Sequence, residues 1–288
     1  MTETQETPQG DDTYFIEAEN AAEMARLINQ DRILTRSMGG LFPPQLDLSN
    51  IHDVLDIACG PGGWALDVAR AYPNKRVTAI DISQIMTEFA RYQAREQELP
   101  NTHFVVMDAL KPLDFPDNSF DFVNARFISG FMPKQAWPTL IQECLRILRP
   151  GGVIRLTEFE STISNSYTSE KLGEMFARAL QKADQSFSPT GWQFGITPTL
   201  GRLLRDAGCQ NVQPMAHVIE WSTGTAEHLS QYQNAMVFLK LSQPFLVKMG
   251  VTTVKEAEVL YQRALEEMME PDYCALWYFF STWGEKPR

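Results

Sequence analysis

The stretch Val54-Leu55-Asp56-Ile57-Ala58-Cys59-Gly60-Pro61-Gly62-Gly63 most narrows what this chain can fold into. A run of branched apolar residues carries one acid, Asp56, and passes directly into a glycine loop; an apolar-periodic segment follows from Trp64. Strand, glycine turn and helix in that order make a corner where a nucleotide rests on backbone N–H groups and a helix N-terminus. The alternation then repeats. It predicts strands at 54–58, 76–80, 103–107, 120–125 and 153–159, with helices at 62–71, 83–99 and 133–148. Helices of this length between strands argue for a parallel, doubly wound sheet.

After residue 159 the pattern changes. Residues 161–167 read as a polar loop, and 169–182 as a helix with Leu172, Met175, Phe176 and Ala179 on one face. Thr197-Pro198 opens a further helix that Gly208 closes. Residues 212–221 read as a strand, and 225–241 and 253–269 as helices, the second with Thr253 and Glu256 at capping-box spacing. An aromatic run, 275–283, reads as a final strand. At the other end, residues 1–12 are polar and acidic and read as disordered. A helix is expected from Glu17, with Ala21, Met24, Ala25 and Ile28 on its apolar face.

The expected fold is therefore α/β: a doubly wound, seven-stranded, mostly parallel sheet with helical lid insertions. Its expected divisions are a disordered tail and helical cap (1–50), a nucleotide-binding core (51–160), a lid segment (161–196), a continuation of the core (197–224), a helical insert of the lid (225–270) and the final strand (271–288). A net charge of −11 with no basic stretch speaks against a nucleic-acid partner. Four widely spaced cysteines form no metal-binding pattern, so no metal is expected. The polar start is unlike a signal peptide, and no apolar run approaches the roughly 20 residues that span a bilayer. These features suit a cytoplasmic protein with reduced thiols and no membrane partner.

Gly60-Pro61-Gly62-Gly63-Trp64-Ala65 with Asp81 downstream also fits a dinucleotide fingerprint, as an NAD(P)-dependent oxidoreductase would carry. Asp56 weighs against that: an acid here repels a pyrophosphate and attracts an ammonium or sulfonium group. At the end of the third predicted strand, Met107-Asp108-Ala109 can accept from an adenine amino group and donate a backbone N–H to the ring. Phe115 to Val123 is a turn feeding a strand. Taken together, the chain resembles the class I S-adenosylmethionine-dependent methyltransferases. VLDIACGPGG resembles their first motif, with Ala58 where glycine is common, and VTAIDIS the second. VVMDA resembles the adenine motif, FPDNSFDFV the fourth-strand motif and LRILRPGGVIRLTE the fifth.

That resemblance implies a Rossmann-like core and S-adenosylmethionine as cofactor. It places the methionine end on the loop formed by Asp56, Ala58, Gly60, Pro61 and Gly62, where the two glycines let the backbone come close. It gives the ribose hydroxyls to Asp81, packs Ile82 and Met86 on the adenine, and holds the adenine edge with Asp108 and the Ala109 N–H. The backbone near Arg126 meets the methionine portion. Plain alternatives stand beside these: Asp81 as a helix cap, Asp108 as a turn former, Met86 as core, Arg126 as an ion-pair arginine. Methyl transfer from a sulfonium is an in-line displacement with a neutral leaving group, so alignment and exclusion of water dominate. A base is needed only if the acceptor must lose a proton, and no catalytic residue is assigned. Tyr14, Phe15, Glu158, Tyr167 and Trp192 are the candidate substrate contacts. The expected partner is a small organic acceptor methylated at oxygen, nitrogen or carbon. The rivals are a protein or tRNA methyltransferase and a module that binds the cofactor without methyl transfer. The aromatic last strand and the lid helices would suit a homodimer.

Overall fold

The computed structural model describes residues 14–17 and 19–288, so the expectation of disorder for residues 1–12 lies outside the described residues. Eight strands form one sheet: β1 (Asp53–Ile57), β2 (Arg76–Asp81), β3 (Thr102–Val106), β4 (Phe120–Arg126), β5 (Leu148–Phe159), β6 (Ile163–Ser164), β7 (Gln210–Glu220) and β8 (Ala275–Glu285). β3, β2, β1, β4 and β5 lie side by side and parallel. β8 then runs antiparallel between β5 and β7. The seven expected strands are present. The eighth, β6, is a two-residue piece within the segment read as a loop, paired to the Ala275–Leu276 end of β8.

β1 is buried along its whole length, as a central parallel strand covered on both faces must be. Side chains alternate between the two faces. Leu55 and Ile57 pack toward α4 (Ala136–Ile147) and α6 (Leu200–Asp206). Val54, one residue away, packs toward α2 (Gly63–Ala71) and α3 (Gln84–Glu96). The parallel strands turn into helices at their C-terminal ends, which gathers Asp56, Asp81 and Arg126 at one edge of the sheet.

Over that edge stand α1 (Ala21–Ser37), α5 (Tyr167–Lys182), α7 (His228–Lys248) and α8 (Val254–Glu267), with α1 against α7, α7 against α8, and α5 against both. Two sequence expectations are corrected here. α1 starts at Ala21, capped by the Asn20 side chain, and its buried face is Glu23, Arg26, Gln30, Ile33 and Leu34, while Ala21 and Ala25 are exposed. α7 runs on past the expected end at 241, through Pro244, which removes one backbone donor from a helix packed on three neighbours.

The glycine loop has a different logic from the one its spacing suggested. Gly62 caps α2 in the left-handed region at φ 81°. A Cβ there would sit 2.8 Å from Ala90 Cβ and 2.8 Å from Phe104 Cε1. Its missing side chain thus serves the packing of α2 on α3 and β3. Ala58 holds the left-handed conformation at φ 54° without being glycine, a strain of about 1 kcal/mol.

Candidate functional site

A cavity of about 300 Å³ lies between the C-terminal ends of β1, β2 and β4 and the overlying helices α1, α5 and α7. Of the sequence-expected residues, Asp56, Ala58, Gly60, Pro61, Asp81, Ile82, Met86, Asp108, Ala109 and Arg126 line it, and so do Tyr14 and Phe15.

On the loop side, one Asp81 oxygen accepts the Gly60 N–H at 2.7 Å and the other the Ser83 N–H at 2.9 Å. Asp81 therefore ties the glycine loop to the turn after β2, while the N-cap of α3 is Ser83 and not Asp81 as the plain alternative had it. Each oxygen still keeps a lone pair for a ligand hydroxyl. Burial raises the Asp81 carboxyl above the usual range. Asp108 accepts the Leu110 N–H at 2.9 Å, which fixes the turn after β3. Met86 is buried and Ile82 half-open, both on the wall. Asp56 is buried, and burial lifts its carboxyl to about 6 against the opposing pull of Arg126 and an Asn124 hydrogen bond. Arg126 itself is paired with Asp31 of α1, and its guanidinium lies over Trp64, 5.9 Å from the ring centroid.

The sequence reading missed a row that crosses the sheet. Asp56 of β1, Asn124 of β4 and Arg155 of β5 are register partners on three adjacent strands. Asn124 Nδ2 donates to Asp56 Oδ1 at 2.7 Å, and Arg155 Nε donates to Asn124 Oδ1 at 2.8 Å. Arg155 is 1% exposed, donates to the Leu41 carbonyl, and lies over Trp64 and Phe122. Its signal was legible in principle: Asn124 and Arg155 interrupt the apolar runs of two central strands.

The far side of the cavity is aromatic, with Phe15, Phe127, Phe159, Phe176, Phe238 and Trp277 among its walls. Phe127, the residue after β4, sits at φ 59°, and this uncommon backbone accompanies a ring tilted against Phe159 and Trp277. One polar array stands in this apolar wall. Tyr14 Oη donates to Glu23, the Arg26 guanidinium grips both Glu23 oxygens, and its other end donates to Gln30 and to Asn234 of α7. Mutual pairing is what permits such groups to be buried. It also explains why the apolar stripe of α1 was misplaced.

Gly62, Glu158, Tyr167 and Trp192 do not line this cavity. Gly62 is turned to α3. Tyr167 opens α5 at 69% exposure and Trp192 lies in a surface turn at 72%. Glu158 is buried, but its carboxyl accepts from the N–H groups of Ile128 and Ser129 and from Ser129 Oγ, so it shapes the turn after β4 from below. Two residues on, Glu160 does line the cavity and accepts from Phe194 N–H at 2.7 Å, Gly195 N–H at 2.9 Å and Thr197 Oγ1 at 3.0 Å. Among the described residues no group of three or more His, Cys, Asp or Glu is placed to hold a metal. No helix among them is long and apolar enough to cross a membrane.

Burial raises the Glu158 carboxyl to about 8, against about 4.3 in an unfolded chain. Between those values the folded state holds the extra proton, so stability falls as pH rises through the window, by at most about 1.4 kcal/mol per pH unit. Glu158→Gln, a near-isostere that cannot ionise, should flatten the melting temperature between pH 6 and pH 8. Equal slopes in thermal melts of the two proteins would sink this account.

Residues 54–152 match the family model of a methyltransferase domain. Demethylmenaquinone methyltransferase of Listeria welshimeri is 27% identical over 176 residues, covering 57% of this chain and 73% of its own length. The Lactococcus lactis protein of the same name is 29% identical over 184 residues, covering 59% and 70%. Among solved structures, a Haemonchus contortus phosphoethanolamine N-methyltransferase bound to S-adenosylhomocysteine has a TM-score of 0.55 at 16% identity, covering 94% of this chain and 58% of that one. The YcgJ protein of Bacillus subtilis has a TM-score of 0.50 at 16% identity, covering 83% and 93%. At such identity the solved structures establish the fold. The domain match, the mostly parallel sheet and a cavity at its strand ends define a class I methyltransferase. The chain is an enzyme of that class.

Proposed function

We propose that the chain methylates a small, largely apolar organic acceptor enclosed beneath α1, α5, α7 and α8, which act together as a lid. The aromatic wall facing the loop side of one continuous cavity carries this reading. S-adenosylmethionine, whose product is bound in the Haemonchus contortus neighbour, is the cofactor of this reading, and when bound it would supply an electrophilic methyl on a sulfonium. Asp81, with a lone pair left on each oxygen, suits the ribose hydroxyls. Asp108 and the Ala109 N–H suit the adenine edge, with Ile82 and Met86 against its faces. Asp56 and the backbone of Ala58, Gly60 and Pro61 suit the methionine end, with Arg126 held beside it by Asp31.

The chain's own work is alignment and exclusion of water. Glu23 is occupied by Arg26 and Tyr14, Asp31 by Arg126, and Glu160 by loop donors. Among the described residues lining the cavity there is neither histidine nor lysine. An acceptor that is already nucleophilic when bound fits such a site. The relatives named for demethylmenaquinone favour a ring-bearing acceptor, and the aromatic wall suits one. The acidic charge favours a small molecule over RNA.

Incubation of the protein with methyl-labelled S-adenosylmethionine and a cell extract tests this. Label should enter the organic-extractable small-molecule fraction. Label in protein or RNA would make this a macromolecule methyltransferase, and label in no fraction would favour a cofactor-binding module.

A further inference from the structure

We infer that Arg155 is a positioning residue for the cofactor. Acting through Asn124, it sets the direction of the hydrogen bonds that cross β5, β4 and β1, and so aims Asp56 at the cationic methionine end. The inference rests on the reading that Asp56 meets that end.

The argument is one of hydrogen-bond polarity. An arginine can only donate. Asn124 has one end that donates and one that accepts, and its two orientations are close in shape. Because Arg155 Nε occupies the space beside it, the Asn124 oxygen must face Arg155. The amide NH₂ is then forced toward Asp56, where it binds Oδ1. Asp56 Oδ2 has no hydrogen-bond partner among the described residues, and Asp56 lines the cavity. The ladder thus pins one carboxylate oxygen and leaves the other for the ligand. It also favours the ionised form, since the donor end cannot reverse.

The placement of Arg155 is otherwise expensive. A fully buried guanidinium with no carboxylate in contact carries a desolvation cost, and burial with the nearby Arg126 charge lowers it to about 9. Its Nη2 finds no partner among the described residues. Packing alone would be met better by an aliphatic side chain at this position.

The charged and titratable groups facing Asp56 are Arg126 at the end of β4, Asp31 of α1, Arg155 of β5 and the Cys59 thiol of its own loop. With its midpoint near 6, Asp56 should lose about three-quarters of its charge by pH 5.5 and almost none at pH 8. S-adenosylhomocysteine should accordingly bind about fourfold more weakly at pH 5.5 than at pH 8. In Arg155→Met the Asn124 amide is free to turn its oxygen to Asp56. The carboxyl midpoint should then rise by about half a unit or more, and the loss between the two pH values should exceed about tenfold. Groups that titrate alike in both proteins, Asp81 among them, cancel in this comparison.

The measurement is calorimetric titration with S-adenosylhomocysteine at both pH values, with carbon-13 carboxyl titration of the cofactor-free protein beside it. Asn124→Leu cuts the same ladder at its middle and should behave alike, which covers the case of an unfolded Arg155→Met. Arg155→Gln keeps an amide group beside Asn124 without the charge and should recover part of the difference. A variant that loses the same factor at both pH values, with an unmoved Asp56 midpoint, overturns the inference. If instead Asp56→Asn binds as tightly as wild type, it is the assignment of Asp56 to the methionine end that fails.

Discussion

Asp81→Ala should weaken S-adenosylhomocysteine binding by at least about 100-fold. Two hydrogen bonds from ligand hydroxyls to a charged acceptor, at about 1.5–3 kcal/mol each, account for that loss. The substitution also strips the acceptor from the Gly60 and Ser83 N–H groups, so the glycine loop loosens and the melting temperature falls. Asp81→Asn separates the two effects. Its amide oxygen can still cap one N–H, so the fold should recover more than the affinity does. Calorimetric titration of folded protein, checked by circular dichroism, provides the measurement. Unchanged affinity in Asp81→Ala would remove Asp81 from the ribose site.

The second large effect is on the fold. Glu160→Ala leaves the Phe194 and Gly195 N–H groups and the Thr197 hydroxyl without their buried acceptor. At roughly 1–3 kcal/mol for each orphaned donor, the loss is about 4 kcal/mol, a large share of the 5–15 kcal/mol that typically holds a domain. A drop in melting temperature of about 10 °C or more should follow. Hydrogen exchange should quicken first around residues 186–197, because that segment turns on this one carboxylate. Glu160→Gln, with one acceptor oxygen left, should fall between. A melting temperature within about 2 °C of wild type for Glu160→Ala would show that the loop is held by something else.

The two halves of the site differ in how far they can be read from sequence, and the difference is one of range. The loop side is built from residues whose roles follow from short spacings. Asp56, Asp81 and Asp108 each lie within two residues of the C-terminal end of a parallel strand, and any doubly wound sheet brings such ends together. The far wall depends on meetings no spacing encodes. Arg26 of α1 is bonded to Asn234, 208 residues away. Without that partner in view, Glu23, Arg26 and Gln30 look like a solvated face, and the alanines opposite look like core. Aromatic character located the far wall only in part: Tyr14 and Phe15 line the cavity as expected. Tyr167 and Trp192 are at the surface, while Phe127, Phe176 and Phe238 line the cavity, because large apolar residues populate both surface and interior. Glu158 and Glu160 show the same limit at close quarters. Both are buried acids two residues apart at the end of β5, and only the turn each one meets tells them apart.

The position of β8 has a consequence for how the chain reaches this state. β8 lies between β5 and β7 and also closes on β6, yet it is made after every other element described. On the ribosome, the five parallel strands can assemble as soon as β5 has emerged, and they hold the whole glycine loop. Until β8 arrives, however, β5 and β7 each present an open edge, and an open edge invites pairing with another chain. The parallel half of the sheet, with the whole glycine loop, is thus complete early in synthesis, while the aromatic wall of the cavity waits for the final strand, which brings Trp277 and zips two waiting edges into one sheet.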